Sequence, residues 1–111
     1  MACNYPHIYI PLSSVHVVSF DMTPRLADGE LLTGTPSVSD EDATGELTIG
    51  NRQVNSVAYE EDGDTVAIGK AIQFTLASSA TTETEYTLNL SATSDGTPAQ
   101  TLTDKLLVTF L

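Results

Sequence analysis

The chain has no tryptophan, one cysteine, two histidines and four basic residues. Each shortage closes off a class of function. A single cysteine, Cys3, excludes an internal disulfide. Small secreted domains lean on such bonds, so the expectation is a chain made and kept in a reducing cytosol, with Cys3 an incidental small residue. Structural zinc takes four nitrogen or sulfur ligands at short spacings. Cys3, His7 and His16 fall short of that set, and no metal site is expected. The four cations, Arg25, Arg52, Lys70 and Lys105, face 15 acidic residues, for a formal net charge of −11. Nucleic-acid binding needs a cationic patch that displaces counterions from phosphates. No nucleic-acid partner is therefore expected, and an anionic membrane surface would repel the chain too. No run approaches the roughly 20 apolar residues of a membrane span. The opening Met1-Ala2-Cys3-Asn4-Tyr5-Pro6 has neither the basic nor the apolar region of a secretory signal. Strong negative charge does favour solubility and discourages nonspecific sticking. It suits a protein that waits in solution before docking at a defined place.

Catalytic patterns are equally scarce. His7 sits in a proline-flanked segment, a poor platform for a rigid site. The chain holds neither a Gly-x-Ser-x-Gly elbow nor a glycine-rich phosphate cradle. The expectation is no enzyme, no catalytic residue and no cofactor. Two acidic turns, Asp40-Glu41-Asp42 and Glu60-Glu61-Asp62-Gly63-Asp64, have the oxygen content a calcium site uses but not the EF-hand spacing. They read as solvated turns. Asn89-Leu90-Ser91 matches a glycosylation sequon; without a secretory route it is chance.

What remains is abundant threonine, valine, isoleucine and tyrosine, punctuated by glycine, proline, asparagine and aspartate. That is the signature of short strands joined by turns. No segment of ten residues keeps a 3.6-residue apolar period; Pro24-Arg25-Leu26 suits a single helical turn. The clearest strand is Tyr86–Ala92, with Tyr86, Leu88, Leu90 and Ala92 on one face and Thr87, Asn89 and Ser91 on the other. Asp95-Gly96 and Pro98 then break the chain before Lys105–Leu111, whose Leu106, Val108 and Phe110 point inward; the two make a C-terminal hairpin. Ala71–Leu76 buries Ile72, Phe74 and Leu76. Thr65–Ile68, Val54–Tyr59 and a brief Glu46–Ile49 stopped by Gly50-Asn51 are further strands. Val15–Phe20 is apolar on both faces, with Val18, Phe20 and His16 sharing one side. Gly34–Ser39 reads as an irregular edge strand because of Pro36. Seven or eight short strands in a chain long enough for one domain specify an all-β, immunoglobulin-like two-sheet sandwich of about seven strands over residues 15–111. Tyr86 opens the penultimate strand, the position of a tyrosine corner whose hydroxyl bonds back to nearby backbone.

Residues 1–14 differ from the rest. Tyr5, Ile8, Tyr9, Ile10 and Leu12 cluster around Pro6 and Pro11. Two prolines so close disfavour a helix and a central strand alike. An extended arm of this length reaches up to about 45 Å. Its apolar residues suit one of two fates: docking on a neighbouring subunit by strand addition, or lying as a first strand on its own domain. In the first case Tyr5, Ile8, Tyr9, Ile10 and Leu12 are the partner-binding residues.

The run Val17-Val18-Ser19-Phe20-Asp21-Met22-Thr23-Pro24-Arg25-Leu26-Ala27-Asp28-Gly29-Glu30 resembles the opening of small immunoglobulin-like virion proteins of tailed bacteriophages. Ile72-Gln73-Phe74-Thr75-Leu76, followed by Glu85–Gly96 with its Tyr86-Thr87-Leu88 step, is similar to that family's final strands. The chain lacks the glycines often found before the tyrosine strand, over Ala77–Thr84, and the tryptophan of the opening strand. The resemblance, spanning residues 17–111, implies a structural virion component made in the host cytoplasm. It implies a tail or neck adaptor that contacts portal, neck, tail, fibre or capsid proteins, or else a capsid decoration (cement) protein. Either role allows a homo-oligomer or symmetric ring. A cell-surface adhesin or carbohydrate-binding module is the rival class. That role favours exposed aromatics on loops, and most tyrosines here fall in strands or the arm.

Overall fold

The computed structural model describes residues 6–12, 14–61, 63–96 and 98–111. The hairpin that closes the chain anchors the fold. β8 (Thr84–Ser94) and β9 (Thr101–Phe110) pair antiparallel in unbroken register, Tyr86 opposite Val108 and Leu88 opposite Leu106. Strict alternation puts Tyr86, Leu88, Leu90 and Ala92 into the core and leaves the hydroxyls and amide between them outside. Both strands run longer than the apolar pattern suggests. Thr84, Thr93, Thr101 and Thr103 extend them with β-branched side chains that suit an extended backbone.

Around this hairpin stand two facing sheets, one four-stranded in the order β1 (His7–Ile10), β9, β8, β3 (Leu32–Asp40) and one three-stranded in the order β2 (His16–Asp21), β7 (Ala71–Ser78), β4 (Leu47–Val54). Together they hold seven strands, six from residues 16–110 and one, β1, from the N-terminal segment. β2 (His16–Asp21) pairs antiparallel with β7 (Ala71–Ser78), Val18 opposite Phe74 and Phe20 opposite Ile72. The core between the sheets joins Val18, Phe20, Ile72, Phe74 and Leu76 to Leu88, Leu90, Leu106, Val108 and Phe110. β3 (Leu32–Asp40) is an edge strand with a register break between Thr33 and Ser37, and Pro36 sits within the break, where no ladder hydrogen bond is needed from it. The expected helical turn is a 3-10 turn at Thr23–Arg25. If β2 is taken as strand B of an immunoglobulin domain, β2, β7 and β4 stand as B, E and D, and β3, β8 and β9 as C, F and G.

Two expected strands need correction. β4 (Leu47–Val54) does not stop at Gly50-Asn51; it passes through with a register shift between Gly50 and Gln53, where Asn51 takes a positive φ of 50°. Conversely, Val54–Tyr59 is not one strand. Asn55 leaves the ladder, is buried, and spends its side chain on turn backbone. The chain resumes as β5 (Tyr59–Glu61), which pairs only with β6 (Asp64–Val66) in a separate ribbon. At the following bend Gly69 has φ +82°, a conformation that favours glycine; a Cβ there would sit 3.2 Å from Leu31 Cδ2, which would have to shift slightly.

The N-terminal segment takes the second of its two fates. β1 (His7–Ile10) runs parallel to β9, His7 opposite Leu107 and Ile10 opposite Phe110. Backbone bonds from Leu107 N to Pro6 O and from Leu111 N to Ile10 O fasten it. Pro6 and Pro11 flank the strand rather than interrupt it, which is why the prolines did not prevent pairing.

Candidate functional site

The arm residues divide accordingly. Ile10 is 3% exposed, and Ile8 and Leu12 pack against the core. Their apolar surface is used at least in part within the chain, as the first-strand alternative has it. Among the described ones, Tyr9 points outward, 62% exposed, with its ring stacked on His7 at 4.6 Å. Tyr5 lies outside the described residues, as do Cys3 and Asp62.

His7 Nε2 lies 2.7 Å from Thr109 Oγ1 and 3.6 Å from Glu85 Oε2. One ring nitrogen faces both groups. A nucleophile–base–acid relay needs them on opposite nitrogens, so the trio fastens β1 to the sheet. Among the described residues no group of three or more His, Cys, Asp or Glu side chains converges on a point a metal ion would occupy. In the first acidic turn Asp40 accepts hydrogen bonds from the Asp42 and Thr44 backbone and from the Thr44 hydroxyl. Burial alone would raise the Asp40 pKa; the Thr44 and Asp42 donors outweigh it and hold the carboxyl below its ordinary value. Glu41 pairs with Lys105. These carboxylates close their own loop.

Tyr86 departs from a tyrosine corner in one respect. Its hydroxyl donates to Glu46 Oε1 at 2.7 Å and stands 2.8 Å from Ser78 Oγ, so it bonds a side chain at the end of β7 and one just before β4 instead of backbone. Burial first, and then the Glu46 carboxylate, push its pKa up.

The outer face of the four-stranded sheet carries a hollow of about 430 Å³, lined among others by Ser37, Ser39, Asn89, Ser91, Thr103 and Lys105. Among the described residues no aromatic side chain lines it to give the platform on which sugars stack. Arg25, which also borders it, is paired with Asp104 at 3.2 Å.

The most unusual surface lies on β2. In the constant-type arrangement strand A borders strand B. Here β1 has crossed to β9, so β2 is an edge, and no strand covers its outer side among the described residues. An edge strand presents a row of unpaired N–H and C=O groups. Val15 and Val17 flank this edge, each 73% exposed. Beneath it, between β2 and the β1–β9 pair, runs a groove of about 150 Å³ whose lining includes Ile8, Val18, Phe20 and Leu106, with Asp21 and Glu61 also lining it. Tyr59 feels both carboxylates; its hydroxyl is buried without a hydrogen-bond partner among the described residues. Burial, then the charges of Glu61 and Asp21, push its pKa up to about 12. The signal for this surface was present in Val15–Phe20, apolar on both faces: a strand with one side in the core has no internal use for apolar residues on the other. No family model, curated protein or solved structure matches the chain.

Proposed function

We propose that the chain is a non-enzymatic docking domain, a structural adaptor at the tail or neck of a tailed-phage virion that joins fibres or neighbouring virion proteins. The observation that carries the docking reading is the β2 edge, uncovered among the described residues, with Val15 and Val17 beside it. Natural sandwiches blunt such edges with lysine, proline or bulges, and none of these occurs within His16–Asp21. An edge left open and apolar is a template for an incoming strand, whose main-chain bonds supply affinity. The virion part of the reading is supported by the resemblance of residues 17–30, 72–76 and 85–96 to the small immunoglobulin-like virion proteins. The test is reconstitution. Particles assembled without the protein should take up purified wild-type chain in a few to a few dozen copies each, and Val17→Lys about tenfold less well. Uptake in hundreds of copies points to capsid decoration instead, and equal uptake of the variant removes β2 from docking.

A further inference from the structure

We infer that the strand received by β2 is an acidic one: an extended segment of another protein with Glu or Asp on its outward face, whose carboxylate seats on Arg52. The inference rests on the docking reading and names its partner. The outer face of the three-stranded sheet holds a hollow of about 450 Å³, lined among others by Val17, Asn51, Arg52, Gln53, Gln73 and Thr75. The bulge in β4 builds it. Gly50 stands opposite Thr75 and Gln53 opposite Gln73, so Asn51 and Arg52 share the single residue Phe74 between them. In strict alternation the residue opposite Phe74 would turn into the core. The bulge, with Asn51 at a φ of 50°, instead leaves Asn51, Arg52 and Gln53 exposed in succession. A guanidinium and two amides are thereby gathered beside the Thr75 hydroxyl and beside Gln73, whose Nε2 donates to Ser19 Oγ at 3.0 Å.

Charge selects the sign. Of the four cations, Arg25 pairs with Asp104 and Lys105 with Glu41, both at the four-stranded sheet. Arg52 and Lys70 make no ion pair among the described residues. Lys70 directly precedes Ala71, the first residue of β7, and Arg52 lies in the hollow. Among the described residues no carboxylate lines that hollow. The acidic residue of β2, Asp21, stands opposite Ala71, beyond Ser19 and Gln73, and already accepts from the Thr23 N–H and hydroxyl. A guanidinium without an acceptor fits a carboxylate with two parallel hydrogen bonds. The chain's formal charge of −11 opposes an acidic partner at long range, but charges beyond about 8 Å are largely screened at physiological salt, so the groups in the hollow decide. Val17 ties the hollow to the edge: it lines the one and flanks the other. An outward side chain of an added strand lies beside Val17 and crosses it toward Arg52. The hollow runs from β2 over β7 to β4, two strand spacings or about 10 Å, which favours the longer Glu over Asp. A second copy is the poorer occupant, because the one carboxylate of its β2 is Asp21, held by Thr23.

The test is a selection from a displayed library of random peptides of about twelve residues, long enough to span the edge, against the full chain at physiological salt. The expected pool is about threefold richer in Glu and Asp than the library, with Glu ahead of Asp. Arg52→Gln should still recover peptides but without the acidic bias, and Arg52→Glu should turn the bias toward Lys and Arg. A recovered peptide is then resynthesised with N-methyl groups on one or the other set of alternate residues. An added strand turns only one set of its N–H groups toward β2, so binding should fall about tenfold further for that set. A pool with this backbone signature but no acidic enrichment overturns the inference and leaves the docking reading standing. So does an acidic pool that keeps its bias on both Arg52 variants. An acidic pool without the backbone signature, or a library that yields no peptide, overturns the docking reading and the inference with it. Sedimentation of the free chain supplies the remaining arm: a dimer that dissociates on Arg52→Glu makes a second copy the occupant and overturns the separate acidic partner, and a monomer supports it.

Discussion

Asn55 Oδ1 accepts the Ala71 backbone N–H at 2.9 Å from inside the sandwich, and the same oxygen accepts Lys70 N–H at 3.0 Å. The amide nitrogen of the same side chain donates to the carbonyls of Val57 and Ala67. One buried side chain thereby ties the end of β4 to the start of β7 and holds the root of the β5–β6 ribbon. Asn55→Ala leaves four backbone groups without their partner, the Ala71 N–H in a buried position and the other three part-buried. The expected loss is about 3 kcal/mol, read as a drop in the urea midpoint at constant m-value. Asn55→Asp keeps the acceptor and loses both donors, and should not restore stability.

Tyr86 makes a second tie, from β8 to Ser78 at the end of β7 and Glu46 just before β4. Its ring also packs edge-on against Phe110 at 5.8 Å. The two contributions separate by substitution. Tyr86→Phe keeps the ring and should cost about 1 kcal/mol. Tyr86→Ala loses the packing as well and should cost about 4 kcal/mol. If the two variants melt alike, the hydroxyl rather than the ring holds that end of the sandwich.

The alternating strands were readable because a residue's face follows from its parity alone. Leu88, Leu90, Leu106, Val108, Ile72, Phe74 and Leu76 are all buried, as their spacing indicates. Pro36 marked its own edge strand. The misreadings share one cause, which is that local pattern does not count hydrogen-bond partners. Gly50-Asn51 looks like a stop, but a bulge absorbs it because β7 is long enough to pair on both sides of it. Val54–Tyr59 alternates well enough, but Asn55 is needed by two turns that lie sixteen residues downstream or fewer. The choice of β9 over β2 as the partner of β1 is a tertiary decision that no local pattern in residues 7–10 encodes, and it alone created the candidate docking edge.

The pairing of β1 with β9 predicts what truncation does. Ile10 is enclosed by the core, with Ile8 and Leu12 packed against it. Ile10→Ala should cost about 2–4 kcal/mol. Deleting residues 1–12 removes all three side chains and the β1 ladder together, and should lower the melting temperature sharply or prevent folding. A deletion that melts like the full chain and loses only assembly would return the arm to the role of a grip on a neighbour. The measurement is thermal unfolding by circular dichroism, with sedimentation to check association.

Tyr59 gives the opposite sign of effect. Its hydroxyl is buried and has no partner among the described residues, so it bears a desolvation cost with no hydrogen bond to offset it. Tyr59→Phe should therefore leave stability at neutral pH unchanged or raise it by about 1 kcal/mol. In alkali the two chains diverge. The folded-state pKa stands at about 12 against an ordinary value of 10.0. A group with a raised folded pKa keeps its proton longer in the folded state. The stability it contributes is complete below pH 10.0 and drains away as pH climbs toward about 12. Tyr86, shifted in the same direction, adds to that loss. Urea unfolding of both chains across this range should show a shallower alkaline decline for Tyr59→Phe than for the wild type. Parallel curves would mean that the phenol reaches solvent or a partner before it ionises, and that the buried seam beside Asp21 and Glu61 opens in alkali.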